Sequence, residues 1–236
     1  MLPKIEHPVF TLELISTGKK IRYRPFTVKE EKILLVAQMS REEEQVIDAI
    51  KQVISNCIVD LDFDVDKIAT FDAEYIFINL RSKSVNNIVE MVIRDAEDDK
   101  EYTFNVDLDK LDIVKHPEHT NKIQIDENMG MVLKYPNFKV AASIVLKAGE
   151  DNITALIEMM SKCIEKIYQG DKVYVFGEDF DEKEALQFVN DLPIEAIDAM
   201  QGFFDTFPTI EHTINYKNSL GNERSYKLSG ISDFFI

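Results

Sequence analysis

The stretch TLELISTGKKIRYRPFTVKEEKILL, residues 11–35, contains two patterns that together indicate the fold class. Apolar and polar residues alternate on both sides of Gly18, and the alternation ends at Pro25, which predicts two strands joined by a glycine-containing turn. Thr27 and Glu30 then have the spacing of a capping box, in which a hydroxyl and a carboxylate satisfy free N–H groups at the start of a helix. The stretch therefore predicts a β-hairpin followed directly by a helix.

The same order of patterns recurs in the second half of the chain. KIQIDENMGMVLKYPNF, residues 122–138, alternates around a turn at Met129 and Gly130 and ends at Pro136. FKVAASIVLKA, residues 138–148, then predicts a helix. Because a repeat determines the whole architecture, we interpret the chain as one unit that is present twice.

A further helix is predicted in each half by apolar residues at spacings of three and four, which lie on one helix face. The first set follows the capping pattern Ser40 to Glu43 and consists of Ile47, Ile50, Val53, Ile54, Cys57 and Ile58. The second set follows Asn152 and consists of Ile153, Leu156, Ile157, Met160, Ile164 and Ile167. After each set we predict an acidic connector and then another helix, which begins near Asp72 in the first half and near Asp181 in the second.

Each half is predicted to close with another hairpin, which turns at Asp95 to Lys100 in the first half and at Asn218 to Glu223 in the second. Helices combined with local hairpins indicate an α+β fold. We predict two tandem repeats, each a β-hairpin, two to four helices and a closing β-hairpin. Residues 1–117 form the first hairpin-helical-hairpin unit of this prediction and residues 118–236 the second.

The aspartates from Asp60 to Asp66 alternate with apolar residues in a way that resembles a calcium loop. An EF-hand loop needs glycine at its sixth position and glutamate at its twelfth. Counted from Asp60, those positions hold Val65 and Phe71. We interpret the segment as a connector between helices.

The charge of the chain argues against one class of ligand. Its 236 residues are 45% apolar and carry a formal net charge of −16, and both halves are acidic. Since nucleic-acid binding depends on Lys and Arg that neutralise phosphates, we expect no DNA or RNA ligand. No apolar run approaches the length of a membrane span, and no apolar signal segment follows the N-terminus. We therefore expect a cytoplasmic protein that does not contact a membrane and whose partners are proteins.

Residue types that carry chemistry are present, but they form no recognisable motif. Pro117 disrupts the helical spacing that a zinc site would need between His116 and His119, which favours a surface linker. Cys57 and Cys163 end apolar patterns, which is typical of free buried cysteines. We expect no cofactor, no metal and no enzyme activity. The 43 Asp and Glu residues leave a hydrolase with paired carboxylates as an alternative.

Two segments are candidate partner-binding surfaces. The first is a basic segment, which either ends a helix whose dipole its cations complement or docks on an acidic surface of a partner. The second is the apolar C-terminal segment, which either packs on the last hairpin or inserts into another subunit. The candidate residues are Leu80, Arg81, Ser82, Lys83 and Ser84 in the first segment and Phe234, Phe235 and Ile236 in the second.

Several stretches, taken in their order along the chain, resemble the baseplate protein family of T-even-type contractile-tailed bacteriophages, which comprises hub subunits and hub-assembly chaperones. They are STGKKIRYRPFTVKEEKILL (16–35), ISNCIVD (54–60), FDAEYIFINLRSKS (71–84), SKCIEKIYQGD (161–171), EALQFVNDLP (184–193), FFDTFPTI (203–210) and LSGISDFF (228–235). The resemblance covers nearly the whole chain. It implies a non-enzymatic baseplate hub subunit or hub-assembly chaperone, whose partners are other baseplate hub or tail proteins. Its location would be the host cytoplasm during assembly, or the tail baseplate of the virion.

The resemblance does not imply a bound zinc. Some members of the family carry cysteine pairs in two hairpins, in the manner of a zinc ribbon. The corresponding stretches here, VIRDAEDDKEYTF (92–104) and INYKNSLGNERSY (214–226), contain no cysteine. A permanent virion component and a transient chaperone both fit the resemblance, and a cytosolic adaptor unrelated to phage is the alternative to both.

Overall fold

The structure is a computed structural model that describes residues 5–40, 42–137, 140 and 152–229. Six α-helices and eleven strands lie in that part of the chain, and the strands form small antiparallel sheets, which confirms the predicted mixture of helices and hairpins. In chain order the elements are β1 (Phe10–Glu13), β2 (Lys20–Tyr23), α1 (Val28–Ser40), α2 (Glu43–Cys57), α3 (Thr70–Ser84), β3 (Ile88–Arg94), β4 (Glu101–Asp107), β5 (Asp112–Val114), β6 (Lys122–Gln124), β7 (Met129–Leu133), α4 (Asn152–Lys162), β8 (Ile164–Gln169), β9 (Lys172–Val175), α5 (Glu182–Asn190), α6 (Ile194–Asp205), β10 (Thr209–Lys217) and β11 (Glu223–Ser229).

Contacts group the described residues into two compact units. The first unit consists of the described residues within 1–65, 71–114 and 208–236, and the second of those within 66–70 and 115–207. The division of the sequence into repeats at residue 117 stays a prediction.

The first unit contains three of the predicted hairpins. β1 pairs with β2, and Gly18 lies in their turn with a φ of +70°. β3 pairs with β4, and β10 pairs with β11, each around the predicted turn. β10 also pairs with β5, with Thr209 opposite Val114, so the sheet order is β11-β10-β5. The closing hairpin of the second half therefore pairs with a strand from the first half.

Three helices complete the first unit. α1 begins directly after Thr27, as the capping pattern predicts. The predicted apolar face of α2 is buried, with Val53, Ile54 and Cys57 fully enclosed. The predicted cap at Ser40 is wrong, because Ser40 is the last residue of α1 and α2 follows an N-cap without a side-chain hydrogen bond.

α3 is the most buried helix of the first unit. Asp72 in its first turn is buried and accepts hydrogen bonds from the backbone N–H groups of Ile15 at 2.6 Å and Ser16 at 3.1 Å, which anchors the β1–β2 turn. Farther along the helix, Ile78 joins a cluster of buried residues from the two later hairpins. The other members of that cluster are Ile93, Val106, Leu108, Ile210, Ile214 and Leu228.

The second unit is built on a four-stranded antiparallel sheet in the order β6-β7-β8-β9. α5 begins with a complete capping box between Asp181 and Glu184, at the position where the acidic pattern predicts a helix start. The core combines residues from the sheet and from α4, α5 and α6. Its buried members are Ile123, Met131, Leu133, Met160, Ile164, Ile167, Ala185, Val189, Met200 and Phe203.

The prediction that one helix extends from Asn152 to Ile167 is wrong. α4 ends at Lys162, and the two isoleucines beyond it lie in β8. β8 pairs with β7 through Ile167 and Ile164 but leaves Glu165 out of the register, which is a β-bulge. Because strand neighbours point to opposite faces, this extra residue brings two isoleucines three positions apart to the same buried side.

The acidic connector predicted after Cys163 is also wrong, because β8 and β9 form a hairpin there that turns at Gly170. The corresponding segment of the first half is a connector, as predicted. Its aspartates pair with the first hairpin: the Arg22 guanidinium lies 2.8 Å from Asp60, and Lys19 Nζ lies 3.2 Å from Asp62.

The turn predicted at Met129 and Gly130 lies slightly earlier in the chain. Asp126 accepts hydrogen bonds from the N–H groups of Asn128 and Met129 at 2.7 and 2.8 Å and so forms the turn. Gly130 lies within β7, where a Cβ atom would overlap the ring and hydroxyl of Tyr168. Glycine is therefore needed at position 130 because the Tyr168 side chain lies too close for any Cβ atom. The helix predicted over residues 138–148 lies almost entirely outside the described residues.

The structure does not confirm two tandem repeats. The first half carries α2, a connector and α3 between its hairpins, whereas the second half carries a central hairpin between α4 and α5. Across the described ranges, no helix has both the length and the apolarity needed to cross a membrane.

Candidate functional site

An open apolar groove of about 510 Å³ lies in the first unit, between α1, α2, the end of α3 and β3. Its apolar lining residues are Phe26, Leu34, Leu35, Ala37, Val46, Ala49, Ile50, Phe77, Val85, Val89, Met91 and Val92. The charged lining residues are Glu31, Arg81 and Glu90, so acidic groups outnumber basic ones. A groove with this lining is suited to bind an apolar segment of another protein.

The α1 wall of the groove is held in place by a buried carboxylate at the start of the helix. Glu30 is only 1% exposed, and its carboxylate accepts hydrogen bonds from the Thr27 N–H at 2.9 Å and the Thr27 hydroxyl at 2.6 Å. The Arg24 guanidinium lies 3.0 Å away on the other side. Burial alone raises the pKa of Glu30, but the hydrogen bonds from Arg24 and Thr27 outweigh it and lower the pKa to about 2.

The same helix leaves large apolar side chains in solvent. Leu35, Val36 and Met39 are 53%, 59% and 83% exposed. Leu35 lines the groove, Val36 follows it in the sequence, and Met39 lies one helical turn farther along the same helix. Clustered exposed apolar residues of this kind are typical of protein-binding surfaces.

β3 forms the opposite wall of the groove with its edge. Four consecutive residues, 89–92, line the groove. Successive side chains of a strand point to opposite faces, so a run of four consecutive lining residues indicates that the groove follows the edge of the strand. Val92 on this edge is 58% exposed.

The predicted basic segment forms the last turn of α3, and the structure places its members in different environments. Leu80 is fully buried, and Ser84 accepts a hydrogen bond from the Phe26 N–H at 2.8 Å. The Ser82 hydroxyl donates to Asp109 at 2.5 Å, and Lys83 Nζ lies 3.0 Å from the same carboxylate. These hydrogen bonds, first from Ser82 and then from Lys83, lower the pKa of Asp109.

Arg81 is the member of this segment that lines the groove. Docking of Leu80, Arg81, Ser82, Lys83 and Ser84 on a partner stays a prediction. Phe234, Phe235 and Ile236 lie outside the described residues.

The two cysteines in the described parts of the chain are buried and have structural roles. No three His, Cys, Asp or Glu residues there are arranged to hold a metal ion. Cys57 and Cys163 are free and buried, and burial raises their pKa values to about 11 and about 12, so both thiols stay protonated at neutral pH.

His119 is not the surface-linker residue that its neighbourhood in the sequence indicated. Its Nδ1 lies 2.8 Å from the Thr206 hydroxyl and its Nε2 lies 2.9 Å from the Tyr135 hydroxyl. The ring stacks on Tyr135 and on Phe203, with centroid distances of 5.7 and 5.2 Å. Burial, and to a smaller extent the nearby His116, lower the pKa of His119, so its neutral form is favoured.

A hydrogen-bonded network joins the tips of the β3–β4 and β10–β11 hairpins, which correspond to the hairpins where some family members resemble a zinc ribbon. The buried Asp95 accepts from the Arg224 Nε–H at 2.8 Å and from the Tyr216 hydroxyl. Asp98 accepts from the Tyr102 hydroxyl at 2.6 Å and from the Ser219 N–H at 3.0 Å.

The network affects the ionisation of Asp95. The hydrogen bond from Tyr216, with those from the Glu97 N–H and Arg224, outweighs burial and lowers the pKa of Asp95 to about 2. Together with the hydrogen bonds of Asp98, those of Asp95 link the tips of the two hairpins.

Sequence reasoning missed the groove itself. Exposed apolar residues on α1 were visible in the pattern EEKILLVAQM as apolar residues on more than one helix face. The contribution of β3 had no local signal, because the pairing partners of a strand edge depend on distant parts of the chain.

Comparison with protein families gives a match over nearly the whole chain. A family model described as T4 bacteriophage base plate protein matches residues 7–236. No curated protein and no solved structure matches the chain.

Proposed function

The chain belongs to the family of T4 bacteriophage base plate proteins, and from this membership we propose that it is a baseplate hub subunit or hub-assembly chaperone that acts through protein–protein contacts and not as an enzyme. Its partners are other baseplate hub or tail proteins, which it meets in the host cytoplasm during assembly.

The observation that carries this proposal is the apolar groove. It combines an open volume of about 510 Å³ with exposed apolar side chains on α1. Exposing apolar surface to water is unfavourable in free energy, and binding another protein removes this surface from water. Glu30, Asp95 and Asp98 have strongly lowered pKa values, and their carboxylates are engaged in structural hydrogen bonds, which supports a role without catalysis.

Replacing Leu35 with aspartate tests the proposal. Leu35 is half exposed and lines the groove, so the variant should keep its melting temperature and lose the apolar contact. We expect phage that encode Leu35→Asp to yield few particles with a complete baseplate. Leu61→Asp is the matched control, because Leu61 is fully exposed and lies in the connector after α2, outside the groove lining.

Normal assembly with a folded Leu35→Asp protein would contradict the proposal. Mass spectrometry of purified particles distinguishes its two forms. A hub subunit is present at a constant copy number, whereas a chaperone is absent from particles and present in assembly intermediates.

A further inference from the structure

In the described part of the chain, no strand pairs with the edge of β3 that faces the groove. Among the described residues, β3 belongs to a two-stranded sheet and pairs only with β4. The β10–β11 hairpin packs its Tyr216 ring against Tyr102 and Phe104 of β4, at centroid distances of 5.1 Å. The last hairpin therefore covers part of β4, whereas β3 borders the groove.

The hydrogen bonds at the two ends of the β3–β4 pair identify the backbone groups that point into the groove. The Asp95 N–H donates to the Lys100 carbonyl at 2.9 Å, and the Leu108 N–H donates to the Asn87 carbonyl at 2.7 Å. Hydrogen-bonded and non-hydrogen-bonded pairs alternate along an antiparallel ladder. Counted from both ends, residues 89, 91 and 93 bond to β4, so the N–H and C=O groups of Glu90 and Val92 point away from β4.

We propose that the groove binds an extended segment of another protein, which adds to the edge of β3 as a third strand. This inference rests on the proposed function, because it takes the groove as the docking surface. An added strand accepts from and donates to the backbone groups of Glu90 and Val92. Its alternate side chains enter the apolar space lined by Leu34 and Ala37 of α1 and Ile50 of α2.

A helix in the same groove would leave the edge unpaired. Its own N–H and C=O groups bond within the helix, so the outward groups of Glu90 and Val92 would be covered without partners. A buried polar backbone group without a partner is destabilising. The strand edge thus favours an extended segment over a helix.

Charge selects the chemistry of the bound segment. Among the described residues, the groove is lined by the two acids Glu31 and Glu90 and by one cation, Arg81, and the whole chain carries a net charge of −16. A second copy of this acidic chain would therefore be repelled, whereas a segment with lysine or arginine between its apolar residues would be attracted. The occupant is a partner segment with alternating apolar residues and basic residues that face Glu90.

A selection from random peptides tests this inference and needs no identified partner. The probe is an mRNA-displayed library of random twelve-residue peptides, selected on the immobilised full-length protein. We expect enriched peptides with apolar residues at every second position and with lysine or arginine among the others. Enrichment of peptides with apolar residues at spacings of three and four, or no enrichment, would overturn the inference.

Two chemical changes to the backbone decide whether a selected peptide binds as a strand. N-methylation of alternate peptide amides can be placed in either of two registers. Only one register faces β3, so we expect one methylated set to lose binding and the other to retain it. Equal behaviour of the two sets would contradict strand addition. This measurement leaves the protein unchanged.

On the protein side, Val92→Pro removes one outward N–H group without removing a hydrogen bond to β4. We expect it to weaken peptide binding about ten-fold, whereas the isosteric Val92→Thr, which keeps the N–H, should stay within about three-fold. Glu90→Lys should reverse the preference for basic peptides. An unchanged preference would refute the charge assignment.

Two further results separate this inference from the proposed function and from self-association. If selected peptides bind the wild-type protein but phage that encode Leu35→Asp assemble normal baseplates, the proposed function is refuted and strand addition is still supported. Light scattering tests self-association. If the wild-type protein is a dimer and Val92→Pro is a monomer, the groove binds a second copy of this chain and the assignment to a different protein is overturned.

Discussion

Replacing Glu30 with glutamine should destabilise the protein at neutral pH, because it removes a charge that the fold stabilises at the start of α1. Glutamine keeps the size of the side chain and an oxygen that can accept from Thr27. It loses the charge that faces Arg24, 3.0 Å away. The comparison therefore isolates the contribution of the ionised form.

The size of the effect follows from the pKa of Glu30, which is lowered from 4.5 to about 2. At 1.36 kcal/mol for each pKa unit, this shift corresponds to about 3 kcal/mol between the ionised and protonated forms. The side chain of Arg24 is 26% exposed, so solvent screens part of the interaction. We expect Glu30→Gln to lower the free energy of unfolding by about 2 kcal/mol at pH 7.

The sign of the pH dependence follows from the direction of the shift. A carboxyl group whose pKa is lowered by folding stabilises the protein above its ordinary pKa, and this stabilisation is lost as the pH falls through the folded value. For Glu30 that range extends from 4.5 down to about 2. The difference between wild type and Glu30→Gln should therefore decrease at pH 3.

Urea unfolding followed by circular dichroism measures the free energy of unfolding of wild type and Glu30→Gln at pH 7 and pH 3. These pH values lie on either side of the isoelectric point near 4.7. Glu44→Gln is the matched control, because Glu44 is an exposed glutamate in the first turn of α2. Our reasoning would be refuted by a difference below about 0.5 kcal/mol at pH 7, the range of ordinary surface substitutions. A difference of equal size at both pH values would also refute it.

Three further predictions concern buried groups outside the groove. Gly130→Ala should lower the melting temperature, with a destabilisation of about 1–3 kcal/mol, because the added methyl group overlaps the neighbouring tyrosine. The control is Gly202→Ala, which should leave the melting temperature unchanged because an added Cβ meets no atom within 4 Å there. The free energy of unfolding should fall as the pH drops below 6.5, because the folded state disfavours protonation of His119, and His119→Gln should lose this part of the pH dependence. Cys57 and Cys163 should react with a thiol reagent at pH 8 only when urea unfolds the chain, and rapid labelling of the folded protein would contradict their burial.

Local patterns in the sequence were sufficient to predict the hairpins and several helix starts. The alternation around Gly18 and the cap at Thr27 are short-range signals, and the structure contains both the hairpin and α1. Asp181 shows the same for α5, where a carboxylate at the N-cap accepts from the first free N–H groups. These features depend on residues within about one helical turn of each other, so the sequence alone carries the required information.

The error in β8 has a physical cause that no local pattern could reveal. Ile164 and Ile167 are three positions apart, which is a helical spacing, and a regular strand would put them on opposite faces. The bulge at Glu165 reverses the alternation, and both isoleucines become buried. The bulge exists only when β8 pairs with β7, whose paired residues lie about 30 to 40 positions earlier in the chain, from Leu133 opposite Ile164 to Met129 opposite Gln169.

The candidate site also depends on contacts between distant parts of the chain, which leave no local pattern in the sequence. The basic segment was identified from the sequence, and Arg81 does line the groove, but the apolar walls come from helices and a strand that the sequence analysis treated separately. Which edge of β3 stays open depends on β4 and on a hairpin from the end of the chain. Only the folded unit brings these elements together.

The pairing of β5 with β10 has a consequence for how the chain is made. Val114 leaves the ribosome long before its partner Thr209, and at ordinary rates of translation the interval is roughly 5–20 s. During that time β5 lacks the strand β10, whereas β6, β7, β8 and β9 of the second unit can already pair with one another. The first residues of the first unit are therefore synthesised early, but the unit can complete its fold only after β10 and β11 have been synthesised. A nascent chain stalled before residue 209 would expose the apolar residues that β10 and β11 later cover.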